Sequence, residues 1–231
     1  MKKGISLVAL IVTIIVLIIL TGAVILSFQD GGIIDRADQA VEDSNDAVLE
    51  EKITMMNMQY VQKMKKQFTP KTRETLKAIV KQSGIDLDKL LVYYDAFDGQ
   101  QYVCYKLDKV SKADVKWFLE NEVEIEGETE PIKVWQLFGD FNLDGEIDNI
   151  DNNIMNLFLG SQNPPEIPYY DDEGYEYAMV VGDIDADDMI DTDEMIVLDE
   201  IKNYGYKYAM SEDVFGYDIK AEQLKTYFGI E

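Results

Sequence analysis

The stretch DFNLDGEIDNID, at residues 140–151, decides how the C-terminal part of this chain folds. A second stretch, DIDADDMIDTDE at residues 183–194, repeats its pattern. Both place Asp or Asn at the first, third and fifth positions, Ile at the eighth and a carboxylate at the twelfth. Acidic runs of this density ordinarily repel one another and stay solvated, which is the simpler alternative. The alternate spacing, present twice, instead indicates a tight turn whose oxygens surround a hard divalent cation.

The spacing is that of an EF-hand calcium loop, which supplies about six to eight oxygens to its ion. In the first loop Gly145 lies where the chain turns sharply and needs a positive φ. In the second loop Asp188 stands in that place, and Asp adopts the left-handed region more readily than most residues. Each predicted calcium site takes side chains at positions one, three, five and twelve, a main-chain carbonyl at seven and a water contact at nine. These residues are Asp140, Asn142, Asp144, Glu146, Asp148 and Asp151 in the first loop, and Asp183, Asp185, Asp187, Met189, Asp191 and Glu194 in the second.

The flanks of the loops indicate which calcium family applies. Short apolar runs that end in glycine, residues 132–139 and 177–182, precede the loops and are too brief for an entering helix. Apolar residues at helical spacing follow each loop. A Gly-Asp-led calcium loop with only the exiting helix, present twice, resembles a type I dockerin, and the resemblance covers about residues 132–205. It implies two Ca²⁺ ions, a mostly α-helical module and a cohesin-like domain as a candidate partner.

Two features depart from the dockerin pattern. The loops begin 43 residues apart, at 140 and 183, which is longer than is usual between dockerin repeats. Dockerins also carry small hydroxyl residues late in the loop, where this chain has Asn149-Ile150 and Thr192-Asp193. The resemblance therefore carries over the calcium-stabilised fold, whereas the usual cohesin-binding face does not transfer.

The N-terminal segment carries the other strong signal. Residues 5–26 contain no charge, and as a helix at ~1.5 Å per residue they would extend ~33 Å, enough to cross a bilayer core. This stretch is longer than the apolar region of a secretory signal peptide. Lys2 and Lys3 precede it and favour the cytoplasmic side. The sequence therefore predicts a transmembrane helix at 5–28 in a single-pass membrane protein, with the lipid bilayer around it and most of the chain extracellular.

The motif Lys2-Lys3-Gly4, followed at once by ISLVALIVTIIVLIILTGAVI, resembles the leader of type IV pilins and pseudopilins. That resemblance implies a leader at residues 1–4, a prepilin peptidase that cuts after Gly4, and pilin-like subunits as partners in a filament. Pilins usually carry Glu as the fifth mature residue, where this chain has Ala9. An uncleaved signal-anchor helix is the alternative.

Composition excludes most catalytic classes. The chain has no histidine and one cysteine, Cys104, which excludes Ser-His-Asp and Cys-His catalysis and histidine-based zinc sites. Its net charge is −24, and from Asp140 onward it has 24 acidic and 4 basic residues, which disfavours binding to nucleic acid. We expect a protein that is not an enzyme, with Cys104 as a packed side chain in a strand-like run. A hydrolase that uses a pair of carboxylates is the alternative, since acids are abundant, although the clearest acids are assigned to metal binding.

The remaining segments predict an α+β fold. Residues 33–68 predict a helical stalk that packs on the domain behind it, or alternatively binds a partner, through an apolar stripe. Residues 71–130 predict a small α/β unit with a helix at 72–82, a hairpin of strands at 90–96 and 101–107, and a helix capped by Ser111. The dockerin-like module at 131–205 and a C-terminal helix within 206–231 follow. The stripe residues are Ile34, Ala37, Val41, Val48, Met55 and Met58.

These features predict a bacterial cell-surface, pilin-like structural protein with a calcium-stabilised, dockerin-like head. The alternative is a dockerin adaptor that binds a cohesin-like partner in a polysaccharide-degrading assembly. A membrane-bound sensor or enzyme accessory is the third hypothesis and ranks last, because very few residues would remain in the cytoplasm to signal inward.

Overall fold

A computed structural model describes residues 11–21, 34–142, 144–159, 181–184, 189–205 and 217–230. The chain divides into two compact units, residues 1–52 and 53–231. The helices with defined bounds are α1 (Ile34–Met64), α2 (Pro70–Ser83), α3 (Lys112–Glu120), α4 (Asn149–Leu159), α5 (Thr192–Tyr204) and α6 (Tyr217–Phe228). The strands are β1 (Leu90–Tyr94), β2 (Gln101–Tyr105) and β3 (Trp135–Gln136), and a 3₁₀ turn at Leu87–Lys89 precedes β1.

The described residues are mostly helical with one small sheet, so the α+β part of the predicted fold class is confirmed. The predicted transmembrane helix at 5–28 is wrong: within the ranges given above, no helix is both long enough and apolar enough to cross a membrane. Residues 11–21 are helical. Helix α1 has 31 residues, but charged side chains recur along it. The rest of the predicted span, at 5–10 and 22–28, lies outside the described residues.

The sheet begins with the predicted hairpin. Strands β1 and β2 pair antiparallel from Leu90 opposite Tyr105 to Tyr94 opposite Gln101, and Gly99 in the connecting turn has φ +71°. Strand β3 then pairs parallel to β2 after the chain has passed through α3. Sequence analysis did not predict β3, because two residues are too few for a period-two pattern to register. The parallel pairing brings the residues that follow β3 to the edge of the hairpin.

The helices of the small α/β unit begin at capping residues. Thr69 caps α2 ahead of Pro70, whose missing N–H is not needed in the first turn. The predicted cap of α3 is confirmed: the Ser111 hydroxyl accepts a hydrogen bond from the Asp114 N–H, and the Asp114 carboxylate accepts one from the Ser111 N–H. These local interactions fix where each helix starts.

Within the second unit, the predicted stripe of α1 is not the face that packs. Its members there, Met55 and Met58, are 57% and 58% exposed. In the second unit Ile53 is fully buried instead. A helix residue two positions away points to the opposite side, so Ile53 and Met55 mark opposite faces. The helix has apolar residues on both faces, so its sequence alone did not determine which face packs.

Helix α1 also ends earlier than the predicted stalk at 33–68. Its last residue is Met64, because Lys65 adopts the left-handed conformation with φ +56°. The Lys65 N–H still donates to the Val61 carbonyl, which closes the final turn. Beyond it, Phe68 packs against Tyr60 with ring centroids 4.9 Å apart. This contact lies within the second unit, to which the end of α1 belongs.

The hydrophobic core of the second unit joins the hairpin to both acidic loops. It draws residues from β1 and β2, from the starts of the two loops, and from α4 and α5. Its buried members are Tyr93, Cys104, Leu137, Phe141, Ile154, Met155, Ile184, Val197, Leu198 and Ile201. The start of each loop is therefore anchored by an apolar residue, Phe141 or Ile184, in this core.

Candidate metal centre

The first acidic loop connects β3 to α4. Its backbone turns at Gly145, which has φ +82°, as the sequence predicts. Its first and last predicted ligands, Asp140 and Asp151, are 2% and 0% exposed, and Asn142 is also buried. Carboxylates are rarely buried without a partner of opposite charge. The structure therefore brings the two ends of the predicted ligand set together inside the protein.

Main-chain N–H groups hold these carboxylates. The Asp140 oxygens accept from the N–H groups of Asp144 at 3.0 Å and Gly145 at 2.7 Å. The Asp151 oxygens accept from the N–H groups of Phe141 at 2.8 Å and Asp148 at 2.7 Å. Each carboxylate oxygen has two lone pairs, so these bonds leave acceptor capacity for a cation.

The next ligand positions continue the network. The Asn142 carbonyl oxygen accepts from the Asp144 N–H at 3.0 Å, and an Asp144 oxygen accepts from the Glu146 N–H at 2.9 Å. Asp148, predicted to bind through water, accepts from the Ile150 N–H at 2.6 Å and so caps the start of α4. The loop is therefore folded around its own acidic side chains.

The buried carboxylates perturb one another. Burial raises the pKa of Asp140 to about 8, against the hydrogen bond from Gly145, and the nearby Asp151 and Asp144 carboxylates raise it further. Burial likewise raises the pKa of Asp151 to about 6, although N–H groups of Asp148, Asn142 and Phe141 oppose the shift. Without a cation Asp140 therefore favours a proton at neutral pH, whereas Asp151 is mostly ionised there and takes up a proton only as the pH falls to about 6.

The donor chemistry of the first loop fits calcium. In the part of the chain that the structure describes, no three Asp, Glu, Cys or His side chains are grouped as they would be around a bound metal ion. The first loop nevertheless supplies only hard oxygen donors, namely carboxylates, an amide and a main-chain carbonyl, which are the ligands that Ca²⁺ takes in proteins. A divalent ion would also stabilise the ionised form of Asp140, which burial and the nearby carboxylates disfavour.

The second loop is described in part. Asp185 and Asp187 lie outside the described residues, as does Asp188. Asp183 and Glu194, the first and last predicted ligands, are 0% and 1% exposed. A Glu194 oxygen accepts from the Asp191 N–H at 2.6 Å, and an Asp191 oxygen accepts from the Asp193 N–H at 2.8 Å, so this end of the loop caps α5. Met189, whose predicted role is a carbonyl ligand, is exposed.

The glycines before the loops bring them side by side. The Gly139 N–H donates to the Val181 carbonyl at 2.9 Å, across about 40 residues of sequence. A Cβ on Gly182 would lie 2.4 Å from the ring of the buried Phe141, so only glycine leaves room for that ring. The glycine of each Gly-Asp start therefore has a packing function, and the segments that lead into the two loops are hydrogen-bonded to each other.

A buried lysine contacts the second loop. Lys220 of α6 is 1% exposed; its ammonium donates to the Asp183 carbonyl and lies 4.6 Å from the Phe138 ring centroid. From the same helix Gln223 donates to the Asp183 carboxylate at 2.8 Å. The C-terminal helix thereby fixes the first ligand position of this loop, and its charge offsets part of the negative charge buried there.

An exposed lysine contacts the first loop. Lys63, in the last turn of α1, donates to the Asp144 carbonyl and lies 3.3 Å from a Glu146 carboxylate oxygen. Sequence analysis missed Lys63 and Lys220, since each lies far from its loop in the sequence and carries no local signal. Cys104 is fully buried, as expected; burial and the Asp140 carboxylate raise the pKa of its thiol.

The two acidic loops are thus adjacent. They are joined by the hydrogen bond between Gly139 and Val181, they share one hydrophobic core, and a lysine from a flanking helix contacts each of them. Comparisons with protein-family models, curated proteins and solved structures found nothing that matches this chain.

Proposed function

We propose that this chain is a structural, cell-surface protein whose C-terminal module is stabilised by calcium ions at its two acidic loops. The observation that supports this most directly is the burial of Asp140 and Asp151 within one loop, at 2% and 0% exposure. Two carboxylates removed from water repel each other strongly unless a proton or a cation is present. A calcium ion would supply positive charge where these acids place negative charge.

Each predicted ligand has a distinct part in this mechanism. Asp140 and Asp151 close the ends of the first loop, while Asn142 and Asp144 supply oxygens between them. Gly145 provides the turn, and Glu146 offers its carbonyl. In the second loop the same parts fall to Asp183, Asp185, Asp187, Met189, Asp191 and Glu194. The folded loops in turn fix the starts of α4 and α5, on which the core is built.

The energetic effect suits a protein outside the cell. Extracellular calcium modules bind with Kd of about 10⁻⁴–10⁻³ M. At free calcium of about 100 times Kd, one site adds roughly 2.7 kcal/mol to the free energy of unfolding. That contribution is a large fraction of the stability of a typical domain. The folded module would therefore be more stable where calcium is abundant than where it is scarce.

Thermal melting of the full chain in calcium and in EDTA tests the proposal. We expect a lower Tm in EDTA, and we expect Asp140→Asn to lose the part of that difference that the first loop contributes. Glu120→Gln is the matched control, since Glu120 is an exposed acid on α3 that pairs with Lys116 away from both loops. Equal melting temperatures with and without calcium would contradict the proposal.

The pilin-like part of the proposal rests on the N-terminal motif, whose first ten residues lie outside the described part of the chain. We propose that a prepilin peptidase removes Met1 to Gly4, so that the mature chain begins at Ile5. Intact mass of the protein recovered from its source would show the loss of these four residues. A mass that includes Met1 to Gly4 would contradict leader processing.

A second candidate function is an adaptor that binds a cohesin-like domain. One observation favours it: Ile150 and Leu157 of α4 are 49% and 55% exposed, and seven residues of helix place them on one face. Capture of the calcium-loaded chain by immobilised cohesins, lost in Ile150→Lys, would support this function. Met58→Lys, at an exposed apolar residue of α1, is the control. No capture above background leaves the structural function.

A further inference from the structure

We propose that Lys63 is a built-in cation that competes with calcium at the first loop. Its competition couples occupancy of this loop to the docking of the last turn of α1. This inference rests on the proposed calcium function and adds to it a residue that sets the affinity of the site. It also links the first loop to α1, because the stability of the last turn of α1 would depend on whether the ion is bound.

The contacts of Lys63 motivate the proposal. Its ammonium donates to the Asp144 carbonyl and lies 3.6 Å from an Asp144 carboxylate oxygen and 3.3 Å from a Glu146 carboxylate oxygen. Asp144 is the fifth-position ligand of the loop, and Glu146 supplies the seventh-position carbonyl. The three side chains are one-third to two-fifths exposed. Of the atoms near the ammonium, only the Asp144 carboxylate is a predicted ligand group, whereas the Asp144 carbonyl and the Glu146 carboxylate are not. The ammonium therefore shares one carboxylate with the proposed metal ion.

Electrostatics gives the sign and size of the effect. A monovalent and a divalent cation that share one carboxylate are separated by roughly 6 Å, and in a water-like dielectric their repulsion lowers the affinity about tenfold. Salt at physiological strength has a Debye length of about 8 Å and screens part of this repulsion. Removing the charge of Lys63 should therefore tighten calcium binding by about three- to tenfold, with a smaller gain in high salt.

Thermodynamic linkage extends the argument to the helix. If Lys63 lowers the affinity for calcium by a given factor, calcium weakens the contact of Lys63 with the loop by the same factor. Lys63 lies in the final turn of α1, which ends one residue later at Met64. Calcium binding should therefore loosen this turn while it tightens the loop itself.

The test is a calcium titration of the full chain by calorimetry, at low salt and at 0.5 M NaCl (about a 4 Å Debye length). The variants are Lys63→Met and Lys63→Gln, which remove the charge, and Lys63→Arg, which keeps it. Lys116→Met is the matched control: Lys116 is 47% exposed, against 42% for Lys63, and pairs with Glu120 on α3. Hydrogen exchange of the last turn of α1 in the wild-type chain, with and without calcium, tests the linkage without any variant.

We expect both charge-removing variants to bind calcium three- to tenfold more tightly at low salt, with Lys63→Arg and Lys116→Met close to wild type. Exchange of the last turn of α1 should become faster when calcium is added. Unchanged or weaker binding in Lys63→Met and Lys63→Gln, or slower exchange with calcium, overturns the competition while the calcium function stands. No binding by the wild-type chain at millimolar calcium overturns both, and the two failures are thus distinguishable.

Discussion

At the scale of single residues, the glycine before each acidic loop is required for packing as well as for backbone conformation. Gly139 has φ +83° and lies against Leu198, a fully buried residue of α5. Gly182 lies against the ring of Phe141. In the sequence these residues read as part of a Gly-Asp motif. In the structure they are the points where the two halves of the module touch.

Gly139→Ala should therefore destabilise the chain more than Gly127→Ala. Both glycines have positive φ, at +83° and +88°, so the backbone strain of an added Cβ is similar. On Gly139 that Cβ would lie 2.5 Å from Leu198 Cδ2, whereas on Gly127 nothing lies within 4 Å. Crowding in a packed core costs about 1–3 kcal/mol, and chemical unfolding should show that difference between the two variants. Equal destabilisation of the two variants would mean that the structure accommodates a Cβ at Gly139 beside Leu198.

Cys104 should resist alkylation in the folded protein. Its side chain is fully buried, and burial together with the Asp140 carboxylate raises the pKa of the thiol, so almost no thiolate forms at pH 8. In denaturant the same thiol should react rapidly with iodoacetamide. Mass spectrometry of a time course in buffer and in urea measures both rates. Rapid labelling in buffer would show that the core around β2 opens readily.

At the scale of elements, local capping and turn signals determined what could be predicted. The hairpin around Gly99 and the start of α3 at Ser111 are encoded by neighbouring residues, and the structure has both, although each strand ends two residues before its predicted end. The packed face of α1 was not predictable, because both of its faces carry apolar residues and only contacts with the rest of the second unit select one. Strand β3 and the lysines at the loops depend on residues distant in the sequence and give no local pattern.

Helix α3 should impart a pH dependence to stability through Asp114. Burial raises the pKa of this carboxyl, but hydrogen bonds from Lys89 and Ser111 outweigh burial and leave its pKa below the usual value. A lowered folded pKa stabilises the protein above the unfolded pKa of ~3.9, and this stabilisation is lost as the pH falls through the folded value.

Asp114→Asn should remove this part of the acid sensitivity. Urea unfolding at pH 6, 4 and 3 should show a smaller loss of stability on acidification in the variant than in wild type. Glu120→Gln, at the other end of α3, is the control and should follow wild type. A wild-type curve parallel to that of Asp114→Asn would mean that the cap does not depend on the carboxylate charge.

At the scale of the whole molecule, acidic charge dominates. The net charge is −24, and the part from Asp140 onward contributes −20 of it. Within the described residues, Lys63 and Lys220 contact one acidic loop each. Repulsion among so many acids opposes the compact state, and salt or a bound cation reduces it.

Salt should therefore raise the Tm of the chain more in EDTA than in calcium. Two calcium ions would add four positive charges at the loops, where repulsion among buried acids is strongest, and so leave less repulsion for salt to screen. Calorimetry at 20 mM and 500 mM NaCl, with and without calcium, measures the four melting temperatures. An equal salt effect in both conditions would argue against ion binding at the loops.

The hydrogen bond between Gly139 and Val181 has a consequence for sequence patterns meant to detect other proteins with the same pair of loops. Because this bond closes the module at its centre, the number of residues between α4 and the second loop does not set the distance between the loops in space. A search pattern that fixes the gap between repeats will therefore overlook chains of this kind. A pattern that keeps the Gly-Asp starts and the oxygen positions, and lets the gap vary, will collect them.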